Sequence, residues 1–389
     1  MRLKARIRFG LQHPLLLWMV YGLAAVLISL QRLSLSRVPG EPTAYENYRI
    51  FRNAFTHLLQ HLNPYAAYPA EQWDLFKYSP AFALGMGPFA AMPDWLGLPL
   101  WNLLNSWTLL AAIFALPVLD ARQRRFMAWF VLPELVVSLQ NSQSNGLTAA
   151  LLLFAFAAME RGKSWSAAAQ VALSAFIKIF GIFAAALAWL YPQKGRFVAW
   201  LTGWSVFLFL IPLLVLPWSQ LEQVYRWWLE LLLNDHDASV GLSVQGWLQS
   251  WFGLQPDKLG VTLAGLVVWL LSVLAAGRRP EVKNRVLVWA SLLLWVVIFN
   301  HKAESPTFVV ALSGAALWYA VSERSLGAKI FLFVLFFAAS ITPTDLFPRA
   351  WLNEWVKPYV LKAVPCIALW SWISVLLLRN FFRAPDSTR

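Results

Sequence analysis

The sequence has little that would support a disulfide, a cysteine-based metal site or a large water-soluble domain. It contains one cysteine, Cys366, which excludes an intrachain disulfide. Charged residues make up only 13% of the chain and hydrophobic residues 59%, a balance that is rare in soluble globular proteins. Motifs typical of nucleotide-phosphate loops, zinc proteases and serine hydrolases are also missing. A nucleotide-dependent reaction is therefore not expected.

The hydrophobic residues are concentrated in segments that could cross a membrane. A bilayer core about 30 Å thick requires roughly 17–25 apolar residues per helix. Five strong segments and seven weaker ones predict an all-α integral membrane protein with about twelve transmembrane helices. The strong segments are 14–30, 98–118, 197–217, 259–276 and 361–378. The weaker ones are 126–139, 146–159, 164–178, 179–192, 285–299, 306–321 and 328–341. Because no connecting segment is long enough to fold separately, we predict one polytopic membrane domain over residues 1–389.

Most of the positive charge lies on short loops that would share one side of the membrane. The formal net charge is +13. Seven stretches on one side hold 20 Lys/Arg and 5 acids: 1–13, 119–125, 160–163, 192–196, 277–285, 322–329 and 379–389. The positive-inside rule assigns such loops, and with them both termini, to the cytoplasm. Since the surplus charge follows topology, no nucleic-acid partner is expected.

Two segments must be assigned before successive helices can cross the membrane in alternating directions. Residues 79–93 are apolar enough for a span, but counting them as one would move the basic loop 119–125 outside. We predict that they form a helix lying in the outer interface. Residues 164–192 are too long for one helix and contain Lys178. We predict two antiparallel half-spans that meet at this lysine.

Two long outer loops, 31–97 and 218–258, carry many of the polar residues. Within them, residues 44–62 and 219–233 place apolar side chains at helical spacing, which predicts amphipathic interfacial helices. The first loop thus combines interfacial helices with several acids at the membrane edge. Any functional site should accordingly face outward.

Two carboxylates of the first outer loop are candidate general bases, Glu46 and Asp74. A partly desolvated carboxylate at the membrane edge is suited to deprotonating a hydroxyl nucleophile. Asp74 is followed by Lys77 and Tyr78, which we predict to bind substrate. The competing interpretation is that these acids are solvated charges and helix caps.

Lys178 is the sharpest single signal, because an ionisable residue within an apolar stretch is costly and marks a candidate functional site. At the outer floor of a cavity its ammonium could bind a phosphate, with Lys77 or Lys302 assisting. The alternative is that the side chain extends to the interface. Glu134 is a second charge within an apolar segment, and we predict a cation as its partner.

Further outer clusters complete the candidate binding residues. Asp235 and His236 lie in the sequence NDHD, and His301, Lys302 and Glu304 lie in NHKAESP. The Asp-His-Asp run is a candidate divalent-cation site. However, adjacent ligands on one element cannot all point inward, so we predict no metal and no cofactor.

The order of these pieces resembles the type C glycosyltransferase superfamily, and more closely the family 87 glycosyltransferases. The similar stretches are YENYRIFRNAFTHLLQHLNPY (45–65), FKYSPAFALGMGPFAAMPDWLGLPLWNLLN (76–105), QNSQSNGLTAALLLFA (140–155) and SAFIKIFG (174–181). The resemblance implies an inverting hexosyltransferase of the bacterial inner (plasma) membrane. Its donor would be a polyprenyl-phosphate-linked, mannose-like sugar, and its acceptor a glycan or lipid on the outer face. It further implies an acidic base in the first outer loop and a downstream Lys or Arg that binds the lipid-linked phosphate.

The sequence departs from the family pattern at one position and leaves other classes of function open. An aspartate is usual about eighteen residues before the PY pair of residues 64–65, and Asn47 occupies that register. Either Glu46 replaces the aspartate or the base has moved to Asp74. Twelve helices also suit a secondary transporter, although no internal repeat is visible. A non-catalytic subunit of an envelope assembly complex is a further alternative.

Overall fold

The computed structural model describes residues 14–36, 43–234, 239–344 and 348–382. Regular structure within them is helical. The α-helices are α1 Pro14–Leu35, α2 Glu46–Leu59, α3 Pro80–Gly85, α4 Gly87–Ala90, α5 Asp94–Ala115, α6 Ala121–Gln140, α7 Asn145–Glu160, α8 Ser164–Ile177, α9 Lys194–Leu210, α10 Trp218–Asn234, α11 Val244–Phe252, α12 Lys258–Arg278, α13 Val282–Ile298, α14 Phe308–Val321, α15 Leu326–Phe336, α16 Arg349–Trp351 and α17 Val364–Phe382. The 3₁₀ helices are Ile179–Leu190, Ile211–Leu214 and Ser305–Thr307, and the π-helical turns are Phe337–Ile341 and Leu352–Val356.

The helices confirm the prediction of an all-α multi-pass membrane protein. Four stretches of the described chain are long and apolar enough to cross a membrane: Leu15–Leu35, Asp94–Ala115, Lys194–Leu214 and Lys258–Arg278. Shorter apolar helices are Asn145–Glu160, Ser164–Ile177, Ile179–Leu190, Ser305–Val321, Leu326–Ile341 and Val364–Arg379. Each of the twelve segments predicted from the sequence lies on a helix.

Contacts between loops define two opposite ends of the bundle. At one end the Arg161 guanidinium donates to the Ala115 carbonyl (2.6 Å), and Gln123 Nε2 donates to the Ala320 carbonyl (2.8 Å). At the other end Asn47 Nδ2 donates to the Asn141 carbonyl (2.9 Å). The loops predicted to share a side therefore contact one another. We call the first the basic end and the second the outer-loop end.

Residues 79–93 do not form a span. They form the short helices α3 and α4, of six and four residues, before α5 begins at Asp94. Ser79 anchors the segment to the bundle, since its hydroxyl accepts from the Phe82 amide (3.1 Å) and donates to the Phe176 carbonyl (2.5 Å). This anchor fixes the first outer loop against the end of α8.

The chain reverses at Lys178, as predicted. The helix α8 ends at Ile177, Lys178 has an extended backbone (φ −135°, ψ 116°), and the 3₁₀ helix then returns along α8. Gly181 permits this close return, because a Cβ there would lie 2.4 Å from Ser174 Oγ. The lysine is thereby held at the turn between two antiparallel helices, at the outer-loop end.

The first outer loop packs around a hydrophobic core that it shares with α5 and α10. Tyr48, Phe51 and Leu58 on α2 are fully buried against protein. They pack with aromatic residues that include Phe76 and Trp101. Much of the stripe predicted for the membrane interface instead stabilises the loop. It gives the segment that carries the candidate acids a fixed position on the bundle.

Candidate active site

Lys178 is oriented by a hydrogen bond at the reversal of the chain. The residue is half-buried, and its Nζ donates to Asn145 Oδ1 at 2.5 Å. Asn145 is the first residue of α7 and is fully buried. The ammonium is therefore held on a rigid element, and its two remaining hydrogens are available to a ligand.

Two amide side chains connect Lys178 to a carboxylate. Asn145 Nδ2 donates to Gln143 Oε1 (2.6 Å), and Gln143 Nε2 donates to Glu304 Oε2 (2.9 Å). We call Asn145 and Gln143 the amide relay. Because each amide accepts at one side and donates at the other, the ammonium fixes the orientation of both amides. The relay places a cation at one end and the exposed carboxylate of Glu304 at the other.

The loop that carries the relay is fixed by its neighbours. Trp101 Nε1 donates to the Ser142 carbonyl (2.9 Å), and the Leu147 amide donates to Asn105 Oδ1 (2.9 Å). Ser142 has a left-handed backbone (φ 51°), a conformation that is costly for a residue with a side chain. The surrounding contacts compensate this strain, as is common where a loop is shaped for function.

Tyr78 of the first outer loop lies near Glu304, and the Asp74–Lys77 ion pair lies beside Tyr78. Lys77 Nζ lies 3.3 Å from Asp74 Oδ1, and the Asp74 side chain is 40% exposed. Removal from water raises the pKa of Tyr78 to about 12. A hydrogen bond with Ser144 lowers this pKa, whereas the negative charges of Glu304 and Asp74 raise it. The phenol therefore stays protonated at neutral pH and can donate a hydrogen bond.

Glu46, the other predicted base, is part of the loop architecture. Its Oε2 accepts from the Thr43 hydroxyl (2.8 Å) and its Oε1 accepts from the Trp73 amide (3.0 Å). The residue is 6% exposed. These bonds tie the start of α2 to the segment preceding Asp74, so Glu46 positions that segment.

The remaining predicted residues occupy different settings. His301 and Lys302 lie half-buried on the turn before Glu304, and that turn is held by the Leu242 amide donating to the Ala303 carbonyl (2.8 Å). Asp235 and His236 lie outside the described residues. Among the residues that are described, no group of three or more His, Cys, Asp or Glu side chains is arranged to hold a metal ion.

A buried ion pair supports the Glu304 end of the relay. Lys362 Nζ donates to both oxygens of Glu134 (3.0 and 2.8 Å) and to Ser305 Oγ (2.8 Å). The two charged side chains are 2% and 0% exposed. Glu134 thus has the cation partner predicted for it. Because Ser305 follows Glu304 directly, the pair holds the backbone beside the carboxylate.

Sequence reasoning missed Gln143, Asn145 and Lys362. The two amides lie in QNSQSN, a run of polar residues between two apolar segments, and such a run is a signal for a buried polar turn. Lys362 falls inside the predicted span 361–378, where a lysine requires a partner for the same reason as Lys178 does. The run of amide residues would have pointed to Gln143 and Asn145, and the lysine within an apolar segment would have pointed to Lys362.

Comparison with known proteins identifies the family. The sequence profile of glycosyltransferase family 87 matches residues 76–322, well over half of the chain. The chain belongs to glycosyltransferase family 87. The resemblance noted from the sequence is confirmed, and the protein is a membrane glycosyltransferase. The matched region includes Lys77, Tyr78, Lys178 and Glu304, and it begins just after Asp74.

A solved structure is similar to this chain, at low sequence identity. The crystal structure of ArnT from Cupriavidus metallidurans bound to undecaprenyl phosphate is similar at 14% identity and a TM-score of 0.39. The similarity covers 94% of this chain and 77% of ArnT. No curated protein matches the chain.

Proposed function

We propose that this family 87 enzyme transfers a mannose-like hexose from a polyprenyl-phosphate donor to a hydroxyl of a glycan or lipid acceptor. The observation that carries the proposal is the placement of Lys178 at the outer-loop end, where Asn145 orients it and Glu304 lies nearby. Glu304 and Asp74 in turn both lie near Tyr78. A fixed ammonium suits a lipid-linked phosphate, and a nearby exposed carboxylate suits a hydroxyl nucleophile.

The reaction is a single displacement at the anomeric carbon. The acceptor oxygen forms the new bond to C1, its proton passes to Asp74, and the bond between C1 and the phosphate oxygen breaks. The electron pair leaves with the polyprenyl phosphate, and the configuration at C1 inverts. Lys178 stabilises the charge that develops on the phosphate, and the protonated Tyr78 can donate a further hydrogen bond. No cofactor takes part in this scheme.

Asp74 suits the role of base better than Glu46 does. Both oxygens of Glu46 accept hydrogen bonds from its own loop, and the side chain is buried. Asp74 is 40% exposed and lies beside Lys77, so an acceptor hydroxyl can reach its carboxylate. We assign substrate contacts to Lys77, Tyr78, His301, Lys302 and Glu304, and Asp235 and His236 remain predictions.

Lys178→Met is expected to weaken donor binding in an assay that also tests the function. Purified wild-type protein, incubated with a panel of radiolabelled polyprenyl-phosphate sugars and acceptors, should transfer the label. A hydrogen bond to a charged group contributes about 1.5–3 kcal/mol, so the variant should need roughly 10- to 150-fold more donor for half-maximal transfer. Lys178→Arg should restore part of the affinity, because a planar fork replaces a point charge imperfectly.

Lys283→Met is the matched control for this variant, because Lys283 is an exposed lysine at the basic end. Its donor dependence should equal that of the wild type. An unchanged donor requirement in Lys178→Met would contradict the phosphate role. Absence of transfer by the wild type across the whole panel would contradict the proposed reaction.

We further propose that the outer-loop end faces away from the cytoplasm in an inner membrane. The basis is the concentration of Lys and Arg in the loops of the basic end. In intact cells a cysteine introduced as Gln60→Cys should react with an impermeant thiol reagent, and Lys283→Cys should react only after lysis. Both positions are exposed, and the native Cys366 is fully buried. Labelling of Lys283→Cys from outside would reverse the proposed orientation.

A further inference from the structure

A cavity of about 270 Å³ opens at the basic end, opposite the amide relay. It lies where α7 ends, α8 begins, the 3₁₀ helix Ile179–Leu190 ends and α9 begins. Its apolar lining includes Met159, Ala188 and Phe197, and its polar lining includes Glu160, Lys194 and Arg285. An apolar wall beside a charged wall suits an amphipathic ligand.

The charged side chains that line this cavity are net positive, and the excess charge is that of Lys194. Arg285 forms a bidentate pair with Glu160, with Nε to Oε1 at 2.7 Å and Nη2 to Oε2 at 2.8 Å. The Tyr191 hydroxyl also donates to Glu160 Oε1 (2.7 Å). The Glu160 charge is therefore balanced within the wall. Lys194 then makes the cavity attractive to an anion.

Two helix N-termini meet at the same cavity. The helices α8 and α9 begin at Ser164 and Lys194, and neither has a side-chain cap or an acid in its first turn. The Ser164 hydroxyl donates to Gln193 Oε1 (2.8 Å), which holds the two N-termini together. The first backbone N–H groups of a helix lack intrahelical partners and carry partial positive charge, so they favour an anionic oxygen.

The surface around the cavity indicates where the anion comes from. Trp165, Trp189 and Val198 are 56%, 53% and 57% exposed. Lys194 Nζ lies 4.1 Å from the centroid of the Trp189 ring. Exposed tryptophans near helix ends mark the headgroup level of a membrane, and an adjacent lysine is typical of contact with lipid phosphates. A lipid could therefore place its headgroup in the cavity and its chains along the exposed apolar side chains.

We propose that this cavity binds the phosphate of an anionic membrane phospholipid. The phosphate would accept hydrogen bonds from Lys194 Nζ and from the first N–H groups of α8 and α9. The phospholipid would pack its acyl chains beside Trp189 and Val198. This site lies at the end of the bundle opposite Lys178, so it does not depend on the proposed transfer reaction.

The test is lipid binding to the purified full-length protein, measured by native mass spectrometry during titration with phosphatidylglycerol. Loss of one charged contact should weaken binding to Lys194→Ala roughly 10- to 150-fold. Lys194→Arg should retain most of the affinity. Lys329→Ala removes an exposed lysine in the first turn of α15, at the same end but outside the cavity, and it should bind like the wild type.

Comparison ligands distinguish the possible sources of phosphate. Phosphatidylcholine and inorganic phosphate should compete poorly, since one is zwitterionic and the other lacks acyl chains. Equal binding of phosphatidylcholine, or full displacement of phosphatidylglycerol by inorganic phosphate, would overturn the proposal. An unchanged phosphatidylglycerol affinity in Lys194→Ala would also overturn it. Equal elution of all variants on size exclusion shows that each is folded.

Discussion

Asp74→Asn is expected to lower single-turnover transfer by about 100- to 10,000-fold, the usual contribution of a general base. Donor affinity should change little, because the phosphate is assigned to Lys178 and not to this carboxylate. The amide retains the size of the carboxylate and its acceptor for the Leu75 amide, a bond of 2.7 Å. Thermal stability should therefore stay close to that of the wild type.

Glu46→Gln is the matched comparison for this variant. The side-chain oxygen of the new glutamine can still accept from the Trp73 backbone amide. Its NH2 group must donate to the Thr43 hydroxyl, whereas the Glu46 oxygen accepts from that hydroxyl. We expect a modest loss of stability, about 1 kcal/mol, and transfer close to the wild-type rate. A large loss of rate in Glu46→Gln, with Asp74→Asn near wild type, would instead identify Glu46 as the base. If both retain transfer within about threefold, neither carboxylate is the base.

Lys362→Met should destabilise the protein strongly, because it leaves Glu134 buried without its cation. Removing one partner of a buried ion pair costs about 3–5 kcal/mol. The Lys362 ammonium is also bound to Ser305, so the backbone beside Glu304 should loosen and donor binding should fall too. The measurement is the apparent thermal midpoint in detergent, read alongside donor affinity.

Two further variants separate the ion pair from a general effect of losing a lysine. Lys357→Met removes an exposed lysine a few residues away, and its midpoint should match that of the wild type. The double variant Glu134→Leu with Lys362→Met removes both charges, so it should recover much of the lost stability. A single variant as stable as the wild type would show that the pair contributes little. Failure of the double variant to recover would indicate a packing role for the side chains.

The layout of the helices could be predicted because it follows from local properties of the chain. Hydropathy locates each span, since a membrane core rejects polar backbone and charge wherever they occur. The same reasoning, applied to basic loops, excluded a span at 79–93. It also divided 164–192 at Lys178. Both outcomes appear in the structure as a pair of short helices and a chain reversal.

The amphipathic stripe of α2 shows where local pattern is insufficient. Its spacing predicts a helix correctly, but spacing alone cannot distinguish a membrane surface from a protein surface, because both are apolar. Tyr48 and Phe51 are fully buried in the core that the first outer loop shares with α5 and α10. The tertiary packing of that loop decided which surface the stripe covers.

The sequence by itself determined that this is a helical membrane protein with a basic side, an isolated lysine at a chain reversal and the marks of its family. Tertiary structure decided which polar groups meet. Asn145 and Lys178 are 33 residues apart, Gln143 and Glu304 are 161 apart, and Glu134 and Lys362 are 228 apart. It also decided that Glu46 is enclosed by its own loop while Asp74 stays accessible. The physical reason is that hydropathy and charge act on each segment separately, whereas these pairings depend on how the helices pack around one another.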